Sequence, residues 1–178
     1  LPPQSLAEVD VVFHVAGYAH ALDERDGEAK HQHSTVEATR NLLEACADAR
    51  VGKVVFISTV KAVTDPGTQV ADESWAEMPT SAYGRAKRRA EELLLAWGEV
   101  PGRSVTVLRP PLLMGQGARG NLNRMFEAIH ARQFPPLPDF HNQRSLLHVD
   151  DLVAAMLHVH AHHGAAGAVF FVAYPHPY

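Results

Sequence analysis

Tyr83-Gly84-Arg85-Ala86-Lys87 places a phenol and an ammonium four residues apart. Positions i and i+4 share one face of a helix, so the two groups meet if this stretch is helical. Such a pair moves protons: the cation favours the phenolate and draws a tyrosine pKa down from about 10 towards the working range. Proton transfer to a substrate oxygen also needs a group that holds the oxygen. Ser58-Thr59 offers hydroxyls at the end of an apolar run, 25 residues before the tyrosine. Ligands of open parallel sheets sit beyond the carboxyl ends of the strands, where a hydroxyl can steady an alcohol or a carbonyl. The plain alternatives are a surface helix turn and a capped loop; the joint presence of both stretches favours chemistry. His14-Val15-Ala16-Gly17 closes another apolar run, and its small residues let backbone approach a flat ligand.

The elements that have to position these groups follow from the hydrophobic pattern. Residues 9–17 begin as a buried strand and run into a loop, and residues 54–58 form a second, β-branched strand. Residues 105–109 form a third, ended by Pro110-Pro111. Between the first two, residues 28–49 carry helical spacing with Leu42, Leu43, Ala45 and Cys46 on the inner side, and Gly52 reads as the stop. Asp65-Pro66-Gly67 marks a turn within a loop over residues 64–80. A helix follows over 81–97, with Ser81 as its cap. Residues 121–132 are helical, the Pro-rich 134–138 is loop, 149–160 is a helix with Asp150 or Asp151 at its positive end, and 169–172 is a late strand. Strands alternate with helices, and the first three strands are apolar throughout. The expected fold is α/β, a parallel sheet with helices on both faces. The Pro-rich stretch predicts a smaller lobe beyond it, which divides the chain into 1–120 and 121–178, with a helix of the second part returning to the sheet.

The 178 residues suffice for one domain with a core, and 46% hydrophobic with 20% charged is an ordinary soluble composition. A net charge of −4 argues against nucleic acid as a partner. The single cysteine, Cys46, excludes an internal disulfide and a multi-cysteine zinc site, and it fits a cytoplasmic location. No apolar run approaches the roughly 20 residues of a membrane span. The opening Leu1-Pro2-Pro3-Gln4 lacks a methionine, so the expectation is a piece of a longer protein.

Several stretches together resemble the extended short-chain dehydrogenase/reductases, the NAD-dependent epimerase/dehydratase family. Asp10-Val11-Val12-Phe13-His14-Val15-Ala16-Gly17 is similar to the family's strand and loop around its cofactor. Phe56-Ile57-Ser58-Thr59-Val60-Lys61 resembles its catalytic hydroxyl strand, with Thr59 at the catalytic place, and Tyr83 and Lys87 match its signature pair. Leu108-Arg109-Pro110-Pro111-Leu112-Leu113-Met114-Gly115-Gln116-Gly117 is similar to the strand and turn beside the nicotinamide. Arg144-Ser145-Leu146-Leu147-His148-Val149-Asp150-Asp151-Leu152 resembles the segment whose arginine binds a nucleotide-sugar diphosphate. The resemblance runs along nearly the whole chain. Ser58-Thr59-Val60-Lys61, Pro110-Pro111 and Asn142-x-Arg144-Ser145-Leu146 look most like bacterial nucleotide-sugar 4-keto reductases and epimerases.

The chain also departs from the family. The G-x-x-G-x-x-G turn that opens the family fold is absent, which implies that roughly 60 residues with the first strands are missing. Thr35 stands where the family often has an asparagine, and Ala173-Tyr174-Pro175 replaces its late Asp-Gly.

The resemblance implies a partial Rossmann domain over 1–120 and a partial substrate lobe over 121–178. It implies NAD or NADP as cofactor, held by Val15, Ala16, Gly17, Ser58, Tyr83, Lys87 and Pro110. Thr59, Tyr83 and Lys87 are then catalytic: Tyr83 moves the proton, Lys87 lowers its pKa, and Thr59, with Ser58 as substitute, orients the oxygen. Lys61, Asn121 and Arg144 would bind the substrate, a nucleotide sugar or another small ketone or alcohol, and a homodimer is the expected assembly. Lys61 reads equally well as an exposed lysine. Two other readings stay open: a reductase of a hydrophobic ketone, of steroid or flavonoid type, which has no use for Arg144, and a non-catalytic dehydrogenase-like binding domain. His158 and His162 stand four apart near a helix end, a spacing that suits a metal but reads better as dipole-complementing histidines on a solvated face. Arg88-Arg89-Ala90-Glu91-Glu92 reads as a charged outer face with i,i+3 pairs.

Overall fold

The computed structural model describes residues 3–18, 27–63, 71–116, 121–135 and 143–177, with the side chains of residues 3–4 and 121–123 excepted. In chain order the elements are β1 (Val11–His14), α1 (Gly27–His31), a π-helical stretch (Gln32–Glu37), α2 (Ala38–Ala49), β2 (Lys53–Ile57) and α3 (Ala82–Gly98). There follow β3 (Ser104–Arg109), β4 (Leu112–Met114), α4 (Asn121–His130), β5 (Leu146–His148), α5 (Val149–Ala161) and β6 (Val169–Phe171). The turn Asp65-Pro66-Gly67, residues 136–138 of the Pro-rich stretch and Asn142 lie outside the described residues.

Four strands form a sheet in the order β1-β2-β3-β6, every pair parallel. Phe13 stands beside Val55, and Val55 beside Thr106. Side chains of a strand alternate between faces, and here both faces are covered. Val54, Phe56, Val105 and Val107 join Leu42, Leu43 and Cys46 of α2 and Ala90 and Leu94 of α3 in one core. Val55, Ile57 and Leu108 join Leu147, with Leu152, Ala155, Met156 and Val159 of α5, in the other. That double burial is why these strands read as unbroken apolar runs. Phe56 and Leu94 have no exposed surface, and each such burial stabilises by roughly 1.5–3 kcal/mol.

Two strands escaped the hydrophobic pattern. β4 and β5 pair in a separate parallel ribbon, Leu113 beside Leu147, so residues on both sides of position 120 contribute to each sheet. The helical span 28–49 is interrupted by its π-helical stretch. It stops at Arg50, in the left-handed conformation with φ 59°, not at Gly52; Arg50 and Val51 N–H groups cap the carbonyls of Ala47 and Cys46 at 3.2 and 2.9 Å. Ser81 caps α3 as expected, its Oγ accepting the Gly84 N–H at 3.0 Å. The charged run on α3 is not uniformly external: Arg88 pairs with Glu92 one turn on, at 3.6 Å, while Glu91 is buried. At the edge of the main sheet, the Phe171 N–H of β6 donates to Glu73 Oε1 at 2.7 Å. No described helix is long and apolar enough to cross a membrane.

Candidate active site

Parallel pairing brings the carboxyl ends of β1, β2 and β3 to one edge; Val15 to Gly17, Ser58, Thr59 and Pro110 follow those ends, and Tyr83 and Lys87 come from the start of α3. The Ser58 N–H donates to the Leu108 carbonyl at 2.8 Å, and the Val60 N–H to the Pro110 carbonyl at 3.0 Å. Thr59 between them is fully extended, with φ −164° and ψ 152°, and its Oγ1 accepts the Lys61 N–H at 3.2 Å. The Thr59 hydroxyl also stands near enough to the Tyr83 phenol to draw its pKa down.

Gly84 makes that meeting possible. A Cβ there would lie 2.2 Å from the Lys61 carbonyl and 2.7 Å from Pro79 Cβ. Only a residue without a side chain lets the Thr59–Lys61 backbone rest on the first turn of α3, beside Tyr83.

Lys87 lies one turn along α3, buried, with Nζ donating to the Ile57 carbonyl at 2.9 Å and standing 4.7 Å over the Phe56 ring. Burial pulls its pKa down to about 8, against the opposing charge of Glu91. The expectation that Lys87 would lower the Tyr83 pKa is not met. Burial raises the phenol above its ordinary value, and the nearby Thr59 hydroxyl only partly counters this. Removing water from around a neutral acid disfavours its ionised form, so Tyr83 rests protonated, ready to donate. The Lys87 charge acts on His14 instead: burial first, then Lys87, lowers that pKa to about 4. His14 Nε2 lies 2.9 Å from Thr39 Oγ1, whose own hydrogen goes to the Thr35 carbonyl at 2.7 Å. Nε2 must therefore carry the hydrogen, and neutral His14 serves as a strut behind Lys87.

Gly17 ends the loop after β1 against Lys87. A Cβ there would come within 3.0 Å of Lys87 Nζ and 3.7 Å of Thr35 Oγ1. The Thr35 hydroxyl is fully buried and has no hydrogen-bond partner among the described residues. Val15, Ala16 and Gly17 are exposed after β1, and Pro110 is buried after β3. A shelf of bare backbone beside an ammonium suits a flat ligand bearing hydroxyls, which is the chemistry of a nicotinamide riboside.

Ser58 plays another part from the one expected. Its Oγ donates to Glu91 Oε1 within the core, and the same carboxylate takes Arg109 Nε at 3.0 Å and Nη2 at 2.7 Å. Thr59 alone is the hydroxyl that meets the phenol. Glu91, Arg109 and Gly84 were overlooked in the sequence; the one available signal was Glu91, four residues past Lys87 on the buried side. Lys61 is exposed on a short turn and Arg144 is exposed ahead of β5. Asn121 opens α4, but its side chain is outside the described structure. His158 and His162 stack at 5.8 Å, and the described residues contain no cluster of three or more groups able to hold a metal.

Residues 4–173 match the model of the NAD dependent epimerase/dehydratase family. The chain belongs to that family. Among its epimerase/dehydratase relatives, the chain is 30% identical over 179 residues to UDP-glucose 4-epimerase of Vibrio cholerae, a match covering 96% of this chain and 54% of that protein. It is 31% identical over 173 residues to a 4-hydroxy-2-methyl-3-oxo-4-farnesyl-3,4-dihydroquinoline-1-oxide ketoreductase of Stigmatella aurantiaca, covering 95% and 50%. Among solved structures, MoeE5 in complex with UDP-glucuronic acid and NAD superposes with a TM-score of 0.84 at 26% identity, over 99% of this chain and 60% of that one. The chain thus spans about half the length of the curated relatives it matches. The Rossmann-like sheet, the family and the NAD dependence in the family's description agree with the reading from sequence.

Proposed function

We propose that this epimerase/dehydratase-family chain is part of an NAD- or NADP-dependent enzyme that interconverts a hydroxyl and a ketone on a nucleotide sugar. The observation that carries the reading is the Thr59 hydroxyl beside the Tyr83 phenol at the sheet edge, with buried Lys87 one helical turn away. Residues 1–120 contribute the dinucleotide-binding part and 121–178 part of the substrate lobe, in a cytoplasmic homodimer.

When bound, the cofactor supplies and accepts hydride. Val15, Ala16 and Gly17 line its seat, with Pro110 as a further contact at the end of β3. Lys87 has three N–H donors and spends one on Ile57, which leaves two for ribose hydroxyls. Tyr83, held protonated by burial, gives its proton to the sugar oxygen as a ketone is reduced and recovers it as an alcohol is oxidised. Thr59 holds the same oxygen and steadies the charge that develops there. Exposed Arg144 offers a planar fork to the diphosphate, with Lys61 and Asn121 as further contacts. Tyr83→Phe should lower turnover at least 10²-fold, the scale of a general acid, with cofactor affinity intact; undiminished turnover removes the assignment.

The Stigmatella relative favours a second reading, reduction of a hydrophobic ketone. This uses Tyr83 and Lys87 alike but leaves Arg144 idle. Protection against thermal unfolding by a UDP-sugar, set against turnover of an apolar ketone, separates the two.

A further inference from the structure

Tyr83 has a neighbour that none of the roles above uses. His31 ends α1, 3% exposed, where α1 packs on α3. Its ring lies 5.6 Å from the Tyr83 ring with planes 55° apart, and 5.4 Å from the Tyr18 ring with planes 52° apart. Tilted pairs at such separations lie in the favourable range for aromatic contact. His31 Nδ1 is buried without a hydrogen-bond partner among the described residues, and its ring contacts are the interactions the structure shows for it. The π-helical stretch begins at the next residue, Gln32, and such irregular turns concentrate at functional sites.

A tyrosine side chain turns about two bonds. The Thr59 hydroxyl stands at its phenolic end, and a face contact is needed to fix the ring. We propose that His31 is a positioning residue for Tyr83: wedged between Tyr18 and Tyr83, its ring holds the phenol towards Thr59 and keeps water from that side of it. The inference rests on Tyr83 as the acid/base.

The test follows the Tyr83 phenol directly, by ultraviolet difference titration with the Tyr83→Phe background subtracted. It compares the parent protein with His31→Ala and His31→Phe. With alanine, water reaches the phenol, its titration moves down towards the ordinary value of about 10, and kcat falls about tenfold or more with KM nearly constant. Phenylalanine restores both. An unmoved titration in the alanine variant overturns the proposal, as does a phenylalanine variant as impaired as alanine. If alanine prevents folding, His31→Leu replaces it: similar volume without a flat ring should lose kcat, and parity with phenylalanine overturns the proposal. A titration that moves as expected while Tyr83→Phe stays fully active supports the positioning and rejects the acid/base reading.

Discussion

The carboxyl edge of the main sheet and the approach to β5 are built on opposite plans. At the edge, buried polar groups are held by named partners: Ser58 by Glu91, Glu91 by Arg109 and Lys87 by the Ile57 carbonyl. Ahead of β5, Gln143, Arg144 and Ser145 are exposed, and the strand they lead into has three residues. Proton transfer tolerates little misplacement of its groups, and the edge supplies that rigidity. Recognition of a particular substrate can rest on exposed segments, which change without disturbing a core. Under the proposed function, chemistry belongs to the sheet edge and selectivity to the exposed lobe.

The contrast can be broken from its rigid side. Glu91→Gln should cost most, about 3–5 kcal/mol in urea unfolding, because it strands the buried Arg109 charge. A loss below about 1 kcal/mol would show that the edge is not held as described. Acid comes next. His14 sits at about 4 when folded and 6.5 when not. Between those values the unfolded chain takes up the proton and the folded one does not. Stability is therefore intact above pH 6.5 and drains away as pH falls towards 4, by on the order of 3 kcal/mol. His14→Gln should flatten unfolding curves through that window. Gly84→Ala should cost about 1–3 kcal/mol and lower turnover more than stability suggests, since its Cβ pushes the Thr59 loop off Tyr83; crystal structures or kinetics would show a loop unmoved if the close approach is unimportant. On the exposed side, Arg144→Ala should leave stability within about 0.5 kcal/mol while raising substrate KM. An unaltered KM would take diphosphate binding away from it.

Much of the sheet was legible because burial on both faces writes itself into a strand as a run such as Val54-Val55-Phe56-Ile57. The Tyr83/Lys87 pair was legible because helix geometry fixes which positions share a face. What stayed hidden depends on partners far along the chain. Leu113 pairs with Leu147, and neither strand is long enough for a pattern. Ser58 looks like a ligand hydroxyl until Glu91, 33 residues later, is found holding it. The direction of the Tyr83 pKa depends on how deeply the ring is buried, which spacing along one helix cannot reveal. The π-helical stretch preserves helical composition while breaking its period, so residues 32–37 read as ordinary helix.

The Glu73 carboxylate on the Phe171 amide occupies a donor that an outermost strand would otherwise offer to a passing chain. Side-chain oxygen in place of a neighbouring backbone acts as a stopper against runaway strand addition. Losing that stopper by substitution would free the Phe171 amide to template a further strand.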